Sequence, residues 1–88
     1  MPGSFAVAKV VLYHTEGCHL CEQAQAMLAQ HPQVSAIELR DIIDDPEWLS
    51  AYQVRIPVMA LAHRPEAELG WPFDQQAINQ LIEQYGPY

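Results

Sequence analysis

Two cysteines are the residues of this chain best suited to chemistry, and they lie close together in the segment Cys18-His19-Leu20-Cys21. A strand-like stretch precedes this segment and a helix-like stretch follows it. A thiol at the start of a helix lies at the positive end of the helix dipole, which stabilises the reactive thiolate. The second thiol, three positions on, shares the same helix face. We expect Cys18, at the helix terminus, to be exposed and Cys21, one turn in, to be buried. The spacing therefore predicts thiol–disulfide exchange, with Cys18 as the nucleophile and Cys21 as the residue that resolves the mixed disulfide.

His19 lies between the two cysteines and is the candidate residue for tuning them. A protonated imidazole at this position would stabilise the Cys18 thiolate and make the pair more oxidising. The alternative interpretation is a solvent-exposed residue at a helix start, with little influence on the sulfur atoms. The sequence leaves both interpretations open.

Metal binding is the main competing interpretation of the cysteine pair. Cys18 and Cys21 have the spacing of metal ligands, and His14 and His19 lie nearby in sequence. Structural zinc usually needs four ligands, often supplied by a second pair of cysteines or histidines. The chain has no second pair, and its other histidines are distant in sequence. We therefore assign no metal ligands and keep a metal carrier as the alternative function. A colourless protein with two titratable thiols would favour thiol–disulfide exchange, and colour or stoichiometric zinc would favour the carrier.

Composition limits the other classes of function. The chain has 88 residues, half of them hydrophobic, and a net charge of −7, which fits one domain over residues 1–88 with a core from about 8 to 86. Its four strong bases are scattered, so neither nucleic acid nor an anionic membrane is an expected partner. No stretch is long enough to span a bilayer, and residues 1–4 do not resemble a signal peptide. We expect a cytoplasmic protein, where a cysteine pair is seldom a static structural disulfide.

The hydrophobic pattern predicts alternating strands and helices. The predicted elements are a strand over residues 9–14, a helix over 18–30, a strand over 35–40, a short helix from Asp45 to about Tyr52, an apolar strand opened by Pro57, a brief strand over 66–70 and a last helix capped by Asp74. This β-α-β-α-β-β-α order predicts an α/β fold, because a strand, a crossover helix and a strand form a parallel unit. The last two strands would add a hairpin, which gives a four-stranded mixed sheet with helices on both faces.

Residue periodicity also predicts which side chains are buried. In the second strand, Ile37 and Leu39 lie on one side. A turn near residues 63–65 separates the last two strands, and residues 86–87 end the last helix. The first helix is predicted to bury Leu20, Ala24, Met27 and Leu28. The last helix is predicted to bury Ala77, Ile78, Leu81, Ile82 and Tyr85.

The C-x-x-C motif after the first strand, the Ile56-Pro57 pair opening the third and the order of elements together resemble the thioredoxin fold. Among its members the chain looks most like the small bacterial glutaredoxin-like group, over about residues 8–86. The resemblance implies a disulfide oxidoreductase, an enzyme with a redox-active centre at Cys18 and Cys21. It also implies a cis bond before Pro57, which would aim the backbone of Ile56 toward an extended substrate. An ordinary trans proline is the alternative.

The resemblance also sets expectations about partners. The substrate would be a disulfide of a protein or of glutathione, with glutathione or another reduced protein as electron source, no bound cofactor and a monomeric protein. Glutaredoxins commonly carry a lysine before the cysteine loop and a Gly-Gly with an acidic pair before the last helix. Here residues 13–17 contain no lysine, and only Gly70 and Asp74 resemble the second element. The sequence therefore does not predict glutathione specificity.

Two other functions of this fold stay open at this stage. Some glutaredoxin relatives share an iron–sulfur cluster between two subunits, although those usually lack the second cysteine. A non-catalytic adaptor that only binds proteins is the other possibility. Among the remaining polar side chains, Arg55 is interpreted as solvated, with contact to a substrate carboxylate as the alternative. Trp71 is interpreted as a packing residue, with a place in the lining of a groove as the alternative.

Overall fold

The computed structural model describes residues 7–85. The predicted helix end at residues 86–87 and the segment 1–4 lie outside this range. In chain order the elements are β1 (Ala8–His14), α1 (His19–Gln30), β2 (Val34–Asp41), a 3-10 turn (Ile42–Asp44), α2 (Pro46–Tyr52), β3 (Val58–Leu61), β4 (Arg64–Gly70) and α3 (Gln75–Tyr85). Each predicted helix and strand has a counterpart, and the 3-10 turn is an addition that the pattern did not predict.

The four strands form one mixed sheet in the order β2-β1-β3-β4. β1 and β2 are parallel, whereas β3 is antiparallel to both β1 and β4. This confirms the predicted α/β architecture. Register shows which strand ends meet: His14 pairs with Asp41, Tyr13 with Val58, and Val58 with Gly70. These positions lie at one end of the sheet, called the thiol end below because β1 leads from it into the cysteine pair.

Apolar side chains cover both faces of the sheet, as predicted. On one face the buried residues of α1 and α3 pack on the strands, and this cluster includes Val10, Leu12, Ala24, Leu28, Met59, Leu61, Ile78 and Ile82. On the other face the 3-10 turn and α2 pack on a smaller cluster, which includes Val11, Tyr13, Ile42, Val58 and Ala60 with Trp48 and Tyr52. Full burial of one such aliphatic side chain contributes about 1.5–3 kcal/mol, so the two clusters hold the sheet between its helices.

The buried face of α1 differs from the predicted one by one position. Ala24, Leu28 and Cys21 are buried as predicted and Met27 is partly buried, but Leu20 is 46% exposed. Residues three and four apart lie above one another on a helix, so Cys21, Ala24 and Leu28 form one stripe. Leu20 lies about 100° around the helix from Cys21 and faces solvent.

Two further expectations need correction. Ile37 packs against the larger core as predicted, but Leu39, two residues further along the same outer strand, is 45% exposed. The turn between β3 and β4 lies at residues 62–63 rather than at 63–65, so Arg64 and Pro65 belong to β4. Proline is tolerated there because β4 is the other outer strand, where a missing N–H need not break the ladder.

Side-chain caps begin the last two helices as predicted. Asp45 accepts a hydrogen bond from the backbone N–H of Glu47 at 2.8 Å, and Pro46 is the first residue of α2. Asp74 accepts one from the N–H of Ala77 at 2.8 Å at the start of α3. Such caps satisfy N–H groups that lack a partner within the helix. The apolar stripe of α3 is also confirmed, because Ile78 and Ile82 are buried and the other three predicted residues pack beside them.

Candidate redox site

Cys18 is the N-cap of α1, one residue before the helix proper. Its backbone is extended, with φ −91° and ψ 102°, while His19 is the first helical residue. The chain reaches this position through Gly17, whose φ of +78° lies in the left-handed region. Glycine adopts that conformation without the steric penalty that other residues carry. The loop after β1 thus delivers the Cys18 sulfur to the N-terminus of α1, where the helix dipole is positive.

The two cysteines form a disulfide, with their Cα atoms 5.2 Å apart. That separation is within the range usual for disulfides. The pair is asymmetric: Cys21 is 3% exposed and lies in the stripe of α1 that faces the core, whereas Cys18 is partly exposed. The backbone N–H of Cys21 donates a 3.1 Å hydrogen bond to the Sγ of Cys18. One sulfur is therefore open to solvent and hydrogen-bonded, and the other is covered.

Ile56 and Pro57 precede β3 and lie at the thiol end of the sheet. Val58 pairs with Tyr13, one residue before the end of β1, so Pro57 lies level with the start of the cysteine loop. Pro57 is fully buried, its carbonyl accepts a 3.1 Å hydrogen bond from the N–H of Trp71, and the Ile56–Pro57 bond is cis. Ile56 is partly buried against the smaller core. The fold thus places Pro57 at the same end of the sheet as the cysteines.

His19 lies in solvent beside the disulfide. Its side chain is 90% exposed, and its Nδ1 is 4.0 Å from a carboxylate oxygen of Glu22, one turn along α1. Water and salt screen charges at such an exposed position. The geometry therefore favours the interpretation of His19 as an exposed residue at the helix start.

The structure also bears on the metal-site alternative. Among residues 7–85, no group of three or more His, Cys, Asp or Glu side chains is arranged to hold a metal ion. Cys18 and Cys21 are bonded to each other, and His19 is directed to solvent.

Arg55 and Tyr52 form an ionic and aromatic cluster that the sequence did not predict. Arg55 pairs with Glu68 of β4 at 2.5 Å and lies 5.3 Å above the Tyr52 ring, and the Tyr52 hydroxyl donates a 3.0 Å hydrogen bond to the same carboxylate. Burial, together with this bond to Glu68, raises the pKa of Tyr52 to about 12. The cluster ties the end of α2, just before Ile56, to the outer strand. Because Arg55 and Glu68 lie 13 positions apart in the chain, no local sequence pattern predicts that they pair.

A similar cluster surrounds Arg40 in β2. Its guanidinium pairs with Glu38 at 2.6 Å, donates a hydrogen bond to the hydroxyl of Tyr13 and lies 5.3 Å from the ring of Trp48. The hydrogen bond and charge of Arg40 lower the pKa of Glu38. The Arg40 guanidinium thus has its ion-pair and hydrogen-bond partners within the fold.

The segment after β4 forms a shallow groove beside the start of α3. The groove has a volume of about 370 Å³ and is lined by Leu69, Gly70, Pro72, Phe73, Asp74 and Ala77. The ring of Trp71 packs edge-on against Phe73 at 5.1 Å, which supports the interpretation of Trp71 as a packing residue. The Trp71–Pro72 bond is also cis, which the sequence analysis did not anticipate.

Comparison with known proteins agrees with this geometry. The profile of the glutaredoxin-like domain family (DUF836) matches residues 9–83. This range contains both cysteines and all four strands, except for the first residue of β1. The chain belongs to this glutaredoxin-like family. No curated protein matches it. The paired thiols at a helix start in a glutaredoxin-like fold give the protein a redox role.

Several solved structures resemble this glutaredoxin-like chain. The X-ray structure of protein XcR50 from X. campestris is 34% identical, covers 88% of this chain and 99% of its own, and superposes with a TM-score of 0.73. Protein Ne2328 from Nitrosomonas europaea is 27% identical, covers 93% and 99% of the two chains and has a TM-score of 0.70. A mutant thioredoxin from Halobacterium salinarum is 21% identical over 94% and 78%, with a TM-score of 0.64, and shows the shared thioredoxin fold.

None of the helices within residues 7–85 combines the length and the apolar character that crossing a bilayer requires.

Proposed function

We propose that the protein is a thiol–disulfide oxidoreductase that uses Cys18 and Cys21 to exchange disulfides with a protein or glutathione substrate. The observation that carries this proposal is the asymmetric pair: a partly exposed Cys18 at the N-terminus of α1 is bonded to a Cys21 that is 3% exposed. Only the exposed sulfur can meet a large substrate. The buried sulfur is held one helical turn away, where it can reach only its neighbour.

In the reaction, the Cys18 thiolate attacks one sulfur of the substrate disulfide. A bond forms between Cys18 and that sulfur, the substrate S–S bond breaks, and the other substrate sulfur leaves as a thiolate that takes a proton from water. Cys21, after losing its proton, then attacks the Cys18 sulfur and releases the second substrate thiol. The substrate gains two electrons and the protein ends with the Cys18–Cys21 disulfide. Glutathione or a reduced protein dithiol returns the two electrons.

The local backbone assists the first step. The N–H of Cys21 already donates to the Cys18 sulfur in the disulfide form. The same N–H and the positive end of the α1 dipole stabilise a negative charge on that sulfur when the disulfide is open. The cytoplasm, where thiol pools are reducing, is the compartment that we propose for this cycle.

We also propose that Ile56 and Pro57 position the substrate. The loop that holds them ends at β3, level with the start of the cysteine loop, so an extended substrate segment at the thiol end would lie beside the backbone of Ile56. A Pro57→Ala variant should then raise KM for a peptide disulfide more than it lowers kcat. Circular dichroism reports whether the variant stays folded, and an unchanged KM in a folded variant contradicts this positioning role.

The proposed function is tested by reduction of a small neutral disulfide, with two variants that separate the cysteine roles. The wild-type dithiol should reduce hydroxyethyl disulfide and end with an intact Cys18–Cys21 bridge, seen by mass mapping after equilibration in glutathione buffers. The Cys21→Ser variant should accumulate a mixed disulfide on Cys18, because nothing resolves it. The Cys18→Ser variant should neither react nor accumulate an adduct. Equal adducts on both single-cysteine variants would contradict the proposal.

A further inference from the structure

We propose that the dithiol selects its substrate by charge: it reduces disulfides flanked by lysine or arginine in proteins, and it disfavours anionic disulfides such as oxidised glutathione. This inference rests on the proposed function and names its substrate class. It follows from where the fold places the charged side chains relative to the thiol end of the sheet.

Carboxylates are concentrated around the thiol end. Glu16 precedes Cys18 by two residues in an exposed loop, and Glu22 is exposed in the first turn of α1. Asp41 ends β2 in register with His14. Asp44 and Asp45 follow Asp41 in the 3-10 turn and at the start of α2. The end of the sheet from which Cys18 projects thus carries negative charge from the cysteine loop, from α1, and from the segment that runs from the end of β2 to the start of α2.

Two of the four strong bases lie at the opposite end of the sheet. Lys9 is near the start of β1, about 16 Å from its last residue at the usual rise of a strand. Arg64 begins β4 opposite Leu61, which itself pairs with Val10 near the start of β1. Both bases are also paired, Lys9 with Glu38 at 3.6 Å and Arg64 with Glu66 at 3.4 Å. Neither can reach an anion at the cysteines.

The other two bases lie closer to the thiol end, but each of them contacts a carboxylate and an aromatic ring of the fold. Arg40 pairs with Glu38 and lies against the rings of Tyr13 and Trp48. Arg55 pairs with Glu68 and lies over Tyr52. These are all the lysines and arginines in the 88 residues, and each is held by a carboxylate of the fold, with Lys9 and Arg40 sharing Glu38. None of the four ion pairs involves a residue of the cysteine loop or of α1.

This distribution sets the direction of charge selectivity. A field of one sign around a reactive group changes the rate at which charged partners arrive by about 10- to 1,000-fold, and salt weakens the effect. Oxidised glutathione has a net negative charge and is repelled by the carboxylates at the thiol end. A protein disulfide whose cysteines are flanked by lysine or arginine is attracted by the same carboxylates.

The test compares three disulfides as substrates of the fully reduced wild-type protein. They are oxidised glutathione and two cyclic peptides that differ only in having lysine or glutamate beside each cysteine. Each rate constant is divided by that for reduction of the same disulfide by dithiothreitol, which removes intrinsic reactivity. At low ionic strength the lysine peptide should be reduced about tenfold faster or more than the other two, and high salt should shrink this ratio.

Matched variants locate the source of the selectivity. Glu16→Gln and Asp41→Asn each remove one charge at the thiol end, and asparagine keeps an oxygen for the hydrogen bond that Asp41 accepts from Ile43. Glu83→Gln is the control, because it removes one charge near the C-terminal end of α3. The neighbouring Tyr85 carbonyl is hydrogen-bonded to His63 in the β3–β4 turn, at the end of the sheet away from the cysteines. The first two variants should each lower the ratio of lysine to glutamate peptide rates by about twofold, and the third should leave it unchanged.

The outcomes separate this inference from the proposed function. If all three disulfides are reduced at equal normalised rates, or oxidised glutathione is fastest, charge selectivity is overturned while the oxidoreductase stands. If Glu83→Gln changes the ratio as much as Glu16→Gln, selectivity comes from net charge and the assignment to the thiol end is wrong. If no disulfide is reduced, the proposed function and this inference both fail.

Discussion

The backbone N–H of Cys21 lies 3.1 Å from the Sγ of Cys18 and donates a hydrogen bond to it. The donor belongs to the residue whose own sulfur closes the disulfide. In the proposed reaction, one turn of helix would therefore both stabilise the Cys18 thiolate and supply the group that resolves the mixed disulfide. The core buries Cys21 on the same stripe as Ala24 and Leu28, which fixes this turn against the sheet.

The two thiols of the reduced protein should differ in reactivity. We expect iodoacetamide at about pH 6.5 to alkylate Cys18 roughly tenfold faster than Cys21 or more, because Cys21 is 3% exposed and only Cys18 lies at the helix N-terminus. Peptide mapping after timed quenching measures both rates. In concentrated urea the two rates should converge. Faster alkylation of Cys21 in the folded protein would reverse the assigned roles.

Gly17 should be needed for its backbone conformation rather than for space. A Cβ at Gly17 would meet nothing within 4 Å, but the φ of +78° is unfavourable for alanine. We expect Gly17→Ala to lower the free energy of unfolding by about 1 kcal/mol in urea titrations. Gly70→Ala is the matched control, since it also has open space and lacks a positive φ, and it should change stability by less than about 0.5 kcal/mol. Equal losses would show that φ is not the cause.

His31 should be a structural histidine that joins three segments. It is 5% exposed, its Nδ1 accepts a 3.1 Å hydrogen bond from the N–H of Gln33, and its Nε2 therefore donates to the carbonyl of Gln75 at 3.1 Å. We expect His31→Ala to lower the free energy of unfolding by about 2–3 kcal/mol, since it removes two buried hydrogen bonds and leaves a cavity.

The control for His31 is the exposed histidine beside the cysteines. His19→Ala should change stability by less than about 0.5 kcal/mol, because its side chain is 90% exposed. Both variants are measured by urea unfolding with the disulfide intact. A loss of similar size for the two variants would contradict a special role for His31.

Because of Tyr52, the stability of the fold should depend on pH in the alkaline range. Burial and the hydrogen bond to Glu68 raise the pKa of Tyr52 from its ordinary value of 10.0 to about 12 in the folded protein. A pKa raised by folding means that the unfolded chain loses the phenol proton first. The stabilising contribution is therefore complete below about pH 10 and is lost as the pH rises toward 12.

Thermal unfolding at several alkaline pH values measures this effect. The Tm of the Tyr52→Phe variant should fall less steeply between about pH 10 and 12 than the Tm of the wild type. Absorbance titration should show one late-ionising tyrosine that is missing from the variant. In Glu68→Gln the late ionisation should move only part of the way toward lower pH, because burial is the largest cause of the shift. Parallel Tm curves for wild type and Tyr52→Phe would contradict the assignment.

Much of the site was predictable because its determinants are local. The C-x-x-C spacing, the helix that follows β1 and the caps at Asp45 and Asp74 depend on residues within a few positions of one another. The order of strands and helices then restricts the topology to few choices. The errors at Leu20 and Leu39 arose where local periodicity did not determine which side chain a neighbouring element covers.

The sequence by itself determined the chemistry: two thiols three positions apart, an alternation of strands and helices, and an excess of acidic over basic residues. Only the tertiary structure decided where the carboxylates lie and that Arg40 and Arg55 have partners in Glu38 and Glu68. The physical reason is distance along the chain. Hydrogen bonds and periodicity within one helix or strand are set by neighbouring residues, whereas burial and most ion pairing depend on segments that meet only when the sheet forms.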